Sequence, residues 1–283
     1  MIASTKIEQA TKAQLYRYFN GFERFFTASR KANQLELLAD DIIITTPRGS
    51  IAGKANYAHS LGDYKGMKIS HAIEDIAVKT LPNGLITATV RLIYKGVQKN
   101  GANNSLRFIY ETELSQQANQ LPLFKTIQLN VDGAFEAASF QDTYIKSRSM
   151  ALLYYYLFLI EKVADNAAEF QEILTDDFQL NLSPDTTLTT IMDVDKWLKN
   201  VAKNIVVTSH YPKNIVVKSL AHETYELRVD FDWEAWTVEQ QKVTAKTRHT
   251  WVIKDKKNDR FASIQSIRVE RCSPFSIRNL NPK

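Results

Sequence analysis

The chain repeats itself, and that limits what it can fold into more than any single motif does. Ser70-His71, followed by Ile76-Ala77-Val78-Lys79-Thr80-Leu81, recurs 139 residues later as Ser209-His210, followed by Ile215-Val216-Val217-Lys218-Ser219-Leu220. Leu38-Ala39-Asp40-Asp41-Ile42 recurs as Leu174-Thr175-Asp176-Asp177-Phe178 at an offset of 136. The segment 90–94 (Val-Arg-Leu-Ile-Tyr) matches 229–233 (Val-Asp-Phe-Asp-Trp) at 139, and Phe124-Lys125-Thr126-Ile127-Gln128 matches Phe261-Ala262-Ser263-Ile264-Gln265 at 137. The order is kept, and the offset drifts only as loop insertions and deletions would make it drift. Self-similarity at a fixed period means one structural unit built more than once. In a chain of 283 residues, each copy has the size of an ordinary domain. The expected boundaries are 1–134 for the first domain, 135–146 for a linker and 147–283 for the second domain.

Each copy has the same layout. Residues 11–31 place Leu15, Phe19, Phe22 and Phe26 at helical spacing, and 147–164 is the counterpart. A short helix is expected to end at the Asp-Asp pair, read as a helix-end turn with Asx-type backbone bonds. Strands are expected at 42–46 and 178–182, each closed by a proline, Pro47 or Pro184. A second short helix is predicted at 54–61 and at 193–204, followed by three long strands and a final one. Alternation is plainest in 227–233, where Val229, Phe231 and Trp233 point one way and Arg228, Asp230 and Asp232 the other. Polar turns are expected at 82–84, 99–104 and 254–259. Helices followed by a twisted antiparallel meander make an α+β class.

Composition excludes several functions. The net charge of +5 comes without a Lys/Arg run, so no nucleic-acid footprint is expected. Cys272 is the only cysteine, which rules out an intrachain disulfide or a paired-cysteine zinc site. The most apolar run, Met150–Ile160, has 11 residues against the ~20 needed to cross a bilayer, so it reads as a buried helix. The first dozen residues contain no apolar secretory core, and the expected location is the cytoplasm. With 9 glycines, no dinucleotide or phosphate loop, no HExxH and no nucleophile elbow, neither a cofactor nor a metal is expected. His222 and His249 lack spaced partners for a metal.

The first helix, the Leu-Ala/Thr-Asp-Asp-hydrophobic approach to the first strand and the Ser-His…Ile-x-Val strand resemble the nuclear transport factor 2-like superfamily. The nearest flavour is the SnoaL-like group, with ketosteroid isomerase and scytalone dehydratase. The resemblance covers nearly the whole chain, twice. It implies two tandem cone-shaped units, each a strongly curved antiparallel sheet wrapped around helices. Each would enclose a cavity for a small apolar or amphipathic molecule, and the two would pair internally like a dimer. In isomerase-like members a carboxylate just before a proline on the first strand removes the proton. Here that position holds Thr46 and Ser183, and a hydroxyl cannot serve as that base. In scytalone-dehydratase-like members a histidine at the second long strand transfers protons, which makes His71 and His210 the catalytic candidates. The same resemblance implies a second histidine on the next strand and a Tyr-Asp pair on the first helix. The next strand offers Tyr94 and Trp233 instead. The helices offer Tyr16 and Tyr18, or Tyr154, Tyr155 and Tyr156, with no following aspartate.

Further pocket candidates are Tyr110 and the pair Arg107 and Arg248, matched across the copies. The arginines would either anchor an anionic group or face solvent on a strand. Trp236 and Trp251 either line a cavity or fill the core. Two functions remain open: a pocket protein, as a cofactor-free lyase, isomerase or hydratase, or a non-catalytic module binding a ligand or protein. Phe178, Phe231 and Trp233 are bulkier than their partners, so the second copy is the one expected to pack solid.

Overall fold

A computed structural model of the chain describes residues 5–23, 27–64, 67–97, 101, 103–135, 139–164, 166–256 and 258–279. Phe26 and residues 99, 100 and 102 of the turn at 99–104 lie outside the described residues. The chain divides into two compact units. The N-terminal unit consists of Ala10–Ala151 with Asn258–Arg260. The C-terminal unit consists of Met1–Gln9, Leu152–Lys257 and Phe261–Lys283. Each unit therefore takes in a short segment from the far side of the sequence, and the first helix of each repeat is divided between the two.

Those helices are α1 (Lys6–Glu23) and α4 (Tyr144–Glu161), each of 18 residues. In α1 every side chain from Ala13 to Asn20 is buried, and Leu15 and Phe19 are 1 % exposed. In α4 every side chain from Ser147 to Glu161 is buried, so the helix needs no polar face, as the apolar run required. It starts at Tyr144 rather than Ser147, because Thr143 O accepts the first helical bond, from Ser147 N at 2.9 Å. Among the described residues, no helix is long and apolar enough to cross a membrane.

In the N-terminal unit, α2 (Ala28–Leu35) leads into β1 (Leu38–Thr46) and β2 (Gly49–Ala52), and α3 (Lys54–Ser60) precedes β3 (Lys68–Thr80). The meander follows as β4 (Leu85–Val97), β5 (Asn103–Ser115) and β6 (Leu123–Ala134). The sheet order is β2-β1-β6-β5-β4-β3, antiparallel throughout except for the parallel pair β1–β6. The C-terminal unit repeats this with β7 (Leu174–Ser183), β8 (Thr186–Leu188), α5 (Ile191–Asn204), β9 (Ile205–Ala221), β10 (Thr224–Thr237), β11 (Gln241–Lys254) and β12 (Ser263–Arg271). Its order is β8-β7-β12-β11-β10-β9, with β7–β12 parallel. One added strand, β13 (Ser276–Asn279), pairs with β11. The α+β class and the two curved-sheet units expected from the repeat are what the chain forms.

Two details correct the sequence reading. Asp40-Asp41 and Asp176-Asp177 are not in helix-end turns. They lie inside β1 and β7, where the ladder to the parallel partner slips between Leu38 and Ile43, and between Leu174 and Gln179. Such a bulge pushes unpaired residues outward. Asp41 accordingly meets Lys125 Nζ at 2.6 Å, Asp40 meets Lys54 at 2.9 Å, and Asp177 accepts from Gln265 at 3.0 Å. Second, the ladders revise the repeat register. Tyr94 pairs with Leu106 and Trp233 with Ala245, so β5 and β11 correspond at an offset of 139. That sets Arg248 opposite Ile109 in the comparison, not Arg107. The two-residue error leaves both arginines on the same sheet face, because strand side chains alternate with period two.

Candidate functional site

β3 and β9 are long, but only their first residues enter the interior: Ser70 and His71 in one, Thr208 and Ser209 in the other, each 5 % exposed or less. His71 pairs across the ladder with Tyr94, and His210 with Trp233. The sequence reading therefore placed the two histidines correctly on the strand start, and both imidazoles are buried or nearly so, at 4 % and 12 % side-chain exposure.

Each faces a glutamate that sequence reading passed over. Glu161, the last residue of α4, has a side chain with 0 % exposure. Its Oε1 accepts from the His210 backbone N–H at 2.8 Å and lies 3.3 Å from His210 Nδ1. Gln9 Nε2 donates to Glu161 Oε1 at 3.3 Å and to the His210 carbonyl at 2.9 Å, and Thr5 Oγ1 donates to Glu161 Oε2 at 2.6 Å. The N-terminal unit builds the same cluster. Glu23, the last residue of α1, also has 0 % side-chain exposure. It accepts from His71 N at 3.1 Å, from Thr143 Oγ1 at 2.6 Å and from Ser147 Oγ at 3.2 Å. Here the ring is slightly further off, with His71 Nδ1 at 3.6 Å, beyond hydrogen-bond reach.

A buried carboxyl group needs donors, and both have them. Thr5 and Thr143 sit just before the two long helices, where a hydroxyl ordinarily caps the helix start. Instead each hydroxyl is turned to the glutamate that ends the other long helix. The signal was present in the sequence. Thr5 and Thr143 are 138 residues apart, as are Glu23 and Glu161, and each Thr-to-Glu interval is 18. It was missed because an aspartate directly after a tyrosine was sought, whereas the acid stands at the helix terminus.

The other predicted residues divide by strand face. His71, Tyr94 and Tyr110 come together with aromatic neighbours: Phe19 is 5.2 Å from the His71 ring and 5.0 Å from Tyr110, and Tyr94 is 5.7 Å from His71. Tyr16 is buried on α1. Trp233 donates from Nε1 to Thr208 Oγ1 at 2.8 Å, which ties it to the strand carrying His210. Arg107 and Arg248 take the solvent-facing alternative. Arg107 pairs with Glu74 at 3.4 Å and Arg248 with Asp230 at 2.7 Å, their side chains 41 % and 52 % exposed. Thr46 does turn work: its Oγ1 donates to Gly49 O and accepts from Arg48 N, both at 3.2 Å. Among the described residues, no group of three or more His, Cys, Asp or Glu side chains is arranged to hold a metal ion.

The C-terminal unit adds a second imidazole. His249 on β11 packs edge-on against Phe231, ring centroids 4.7 Å apart, and Phe231 in turn lies 5.8 Å from the His210 ring. Burial, aided by the neighbouring His210, pushes the His249 pKa down to about 3. The imidazole is therefore neutral in the folded protein across the physiological range. A folded pKa below the unfolded value of about 6.5 means that, between these two values, the unfolded chain holds one more proton. Stability is then fully present above about pH 6.5 and falls as pH drops towards 3, by up to about 1.4 kcal/mol per pH unit from this group. Urea denaturation of the wild type and of His249→Phe between pH 4 and 6 should show that slope reduced by one proton in the variant. Equal slopes would contradict this assignment to His249.

No family model matches the sequence, and no curated protein matches it. Among solved structures, hexachlorocyclohexane dehydrochlorinase LinA-type3 from Novosphingobium barchaimii LL02 is 14% identical and aligns over 49% of this chain and 94% of its own, with a TM-score of 0.41. ActVI-ORFA from Streptomyces coelicolor is 15% identical over 42% of this chain and 92% of its own, TM-score 0.36. A nuclear transport factor 2-like superfamily protein from Salmonella enterica serovar Typhimurium LT2 is 10% identical over 47% and 95%, TM-score 0.42. Within this chain, a long first helix and a single parallel strand pair closing an otherwise antiparallel meander recur in both units.

Proposed function

We propose that the chain is a cofactor-free small-molecule enzyme of the lyase or isomerase kind, in which an imidazole removes a proton next to an electron-withdrawing group. The observation that carries this reading is the fully buried glutamate set beside a strand-start histidine, built twice from the same positions. A carboxyl oxygen at Nδ1 selects the tautomer with the proton on that nitrogen. It thereby leaves Nε2 unprotonated as a base and stabilises the imidazolium that forms on proton transfer. The pair at His210 and Glu161 is already within bonding distance, so it is the better assembled of the two. A small apolar or amphipathic guest is the substrate class that suits aromatic neighbours such as Phe19, Tyr94 and Phe231.

The test is proton exchange. The purified chain is incubated in D2O with simple ring ketones, and loss of the α-proton signal is followed by NMR. The wild type should exceed buffer, and the double variant His71→Ala/His210→Ala should lose about 10²–10⁴-fold of that acceleration. Exchange no faster than buffer, or undiminished in the double variant, would leave a binding-only module as the reading.

A further inference from the structure

The two glutamate–histidine clusters draw on matching positions, yet they close differently. At the offset of 138 that relates Thr5 to Thr143 and Glu23 to Glu161, two cluster positions change: Gln9 stands where the N-terminal unit has Ser147, and Phe158 where it has Asn20. In the N-terminal unit the donors crowd one oxygen. Glu23 Oε1 accepts from Thr143 Oγ1, Ser147 Oγ and the His71 N–H, while Asn20 Nδ2 donates to Oε2 at 3.5 Å. The Thr143 hydroxyl also accepts from the His71 N–H at 2.9 Å, so it stands between the strand and the carboxylate. A carboxylate oxygen offers about two lone-pair directions, and here both are taken. The ring is left out: His71 Nδ1 is buried without a hydrogen-bond partner.

In the C-terminal unit the two oxygens divide the work. Phe158 has no donor to offer, and Thr5 takes Oε2 of Glu161 at 2.6 Å, which leaves Oε1 to the strand. Oε1 meets both the His210 N–H and the His210 ring at Nδ1. Gln9 closes the arrangement. Its amide nitrogen carries two hydrogens, and it donates to Glu161 Oε1 at 3.3 Å and to the His210 carbonyl at 2.9 Å. One side chain thus bonds the acid and the residue that bears the imidazole. A serine hydroxyl has a single hydrogen and cannot make both bonds. Gln9 is 3 % exposed, so water does not compete for its amide.

We propose that Gln9 is a positioning residue: it clamps Glu161 Oε1 against His210 Nδ1 and so keeps the proton of the neutral imidazole on Nδ1. What that proton placement serves rests on the enzymatic reading above; the placement itself does not. Without the clamp, the Glu161 carboxylate is held to the strand by the His210 N–H alone and is free to turn about its terminal bond, and the ring loses the acceptor that selects its tautomer. Gln9 touches no reacting atom in this role. It acts through Glu161, from 152 positions away in the sequence.

The experiment reads the tautomer directly. Two-bond 1H–15N correlations of the imidazole rings are recorded on the 15N-labelled full chain, at a pH high enough that the ring signals no longer change. His210 and His71 are assigned by the loss of their signals in His210→Ala and His71→Ala. In the wild type His210 should carry its proton chiefly on Nδ1. Gln9→Met, which keeps the volume of the side chain and removes both donors, should lower the Nδ1-to-Nε2 ratio about tenfold, the size of one lost hydrogen bond to a charged group. Gln9→Ser, which gives the C-terminal unit the residue of its counterpart, should do the same. The His71 signals should stay in place in both variants, which a general loosening of the chain would not allow. A wild-type His210 protonated on Nε2, a ratio unchanged in both variants or a His71 signal that moves with that of His210 would overturn the proposal. If the wild type exchanges ketone protons and the His210 ratio ignores both substitutions, this assignment fails alone. If the ratio responds as expected in a chain that exchanges no protons, the enzymatic reading fails and Gln9 keeps its role.

Discussion

Glu161→Leu is expected to destabilise the C-terminal unit by about 3–5 kcal/mol, the range for removing one member of a buried polar cluster and leaving its partners behind. The substitution removes the acceptor for Thr5 Oγ1, for Gln9 Nε2 and for the His210 N–H at once. Leucine offers none of these groups anything: the buried Thr5 hydroxyl loses its acceptor without regaining water, the His210 N–H loses its own, and Gln9 Nε2 keeps only the His210 carbonyl. Glu161→Gln should do far less damage, about 1–2 kcal/mol, because one amide oxygen still accepts from the His210 N–H. All four tryptophans, Trp197, Trp233, Trp236 and Trp251, fall within the C-terminal unit. Urea titration followed by tryptophan fluorescence therefore reads this unit alone. The result that contradicts the argument is a leucine variant as stable as the glutamine one, since that would mean the donors have other partners. Glu23→Leu should act equivalently in the N-terminal unit and must be followed by circular dichroism. A two-unit chain need not unfold in one step, so the two probes should not be pooled.

Phe124→Ala and Phe261→Ala should each remove about 3–5 kcal/mol, the cost of deleting a fully enclosed ring and leaving a cavity. Both side chains are 0 % exposed. Phe261 lies flat on Tyr155, with centroids 4.2 Å apart and planes 6° from parallel. Phe124 leans on Tyr18 at 5.5 Å. Fluorescence should register the loss for Phe261 and circular dichroism for Phe124. Either variant within about 1 kcal/mol of wild type would show that the site collapses around the missing ring.

These two phenylalanines also mark where reading the sequence stopped being reliable. They were matched at an offset of 137, yet the ladders pair Leu38 with Phe124 and Leu174 with Ile264, so Phe124 corresponds to Ile264. Both phenylalanines are core residues, but they reach the core from different backbone positions. Apolar pattern specifies that a residue is buried and on which face, because that follows from the period of the element. It does not specify which residue corresponds to it in the other copy: Phe261 stands three positions before Ile264 and ahead of β12, and within a strand a slip of two leaves the face unchanged. The same ambiguity paired Arg107 with Arg248.

What the sequence determined by itself was the presence of two units of similar layout, the α+β class, the helix and strand order, the buried character of α4 and the seating of His71 and His210 on the first long strand of each unit. Those are local properties, carried by periodicity and by residues close together along the chain. The glutamates beside the histidines and the helix-start threonines that satisfy them were decided only by tertiary structure. Thr5 meets Glu161 across 156 positions of sequence. A contact over such a distance depends on where two helix ends are carried by the whole fold, and no local preference of either residue encodes it.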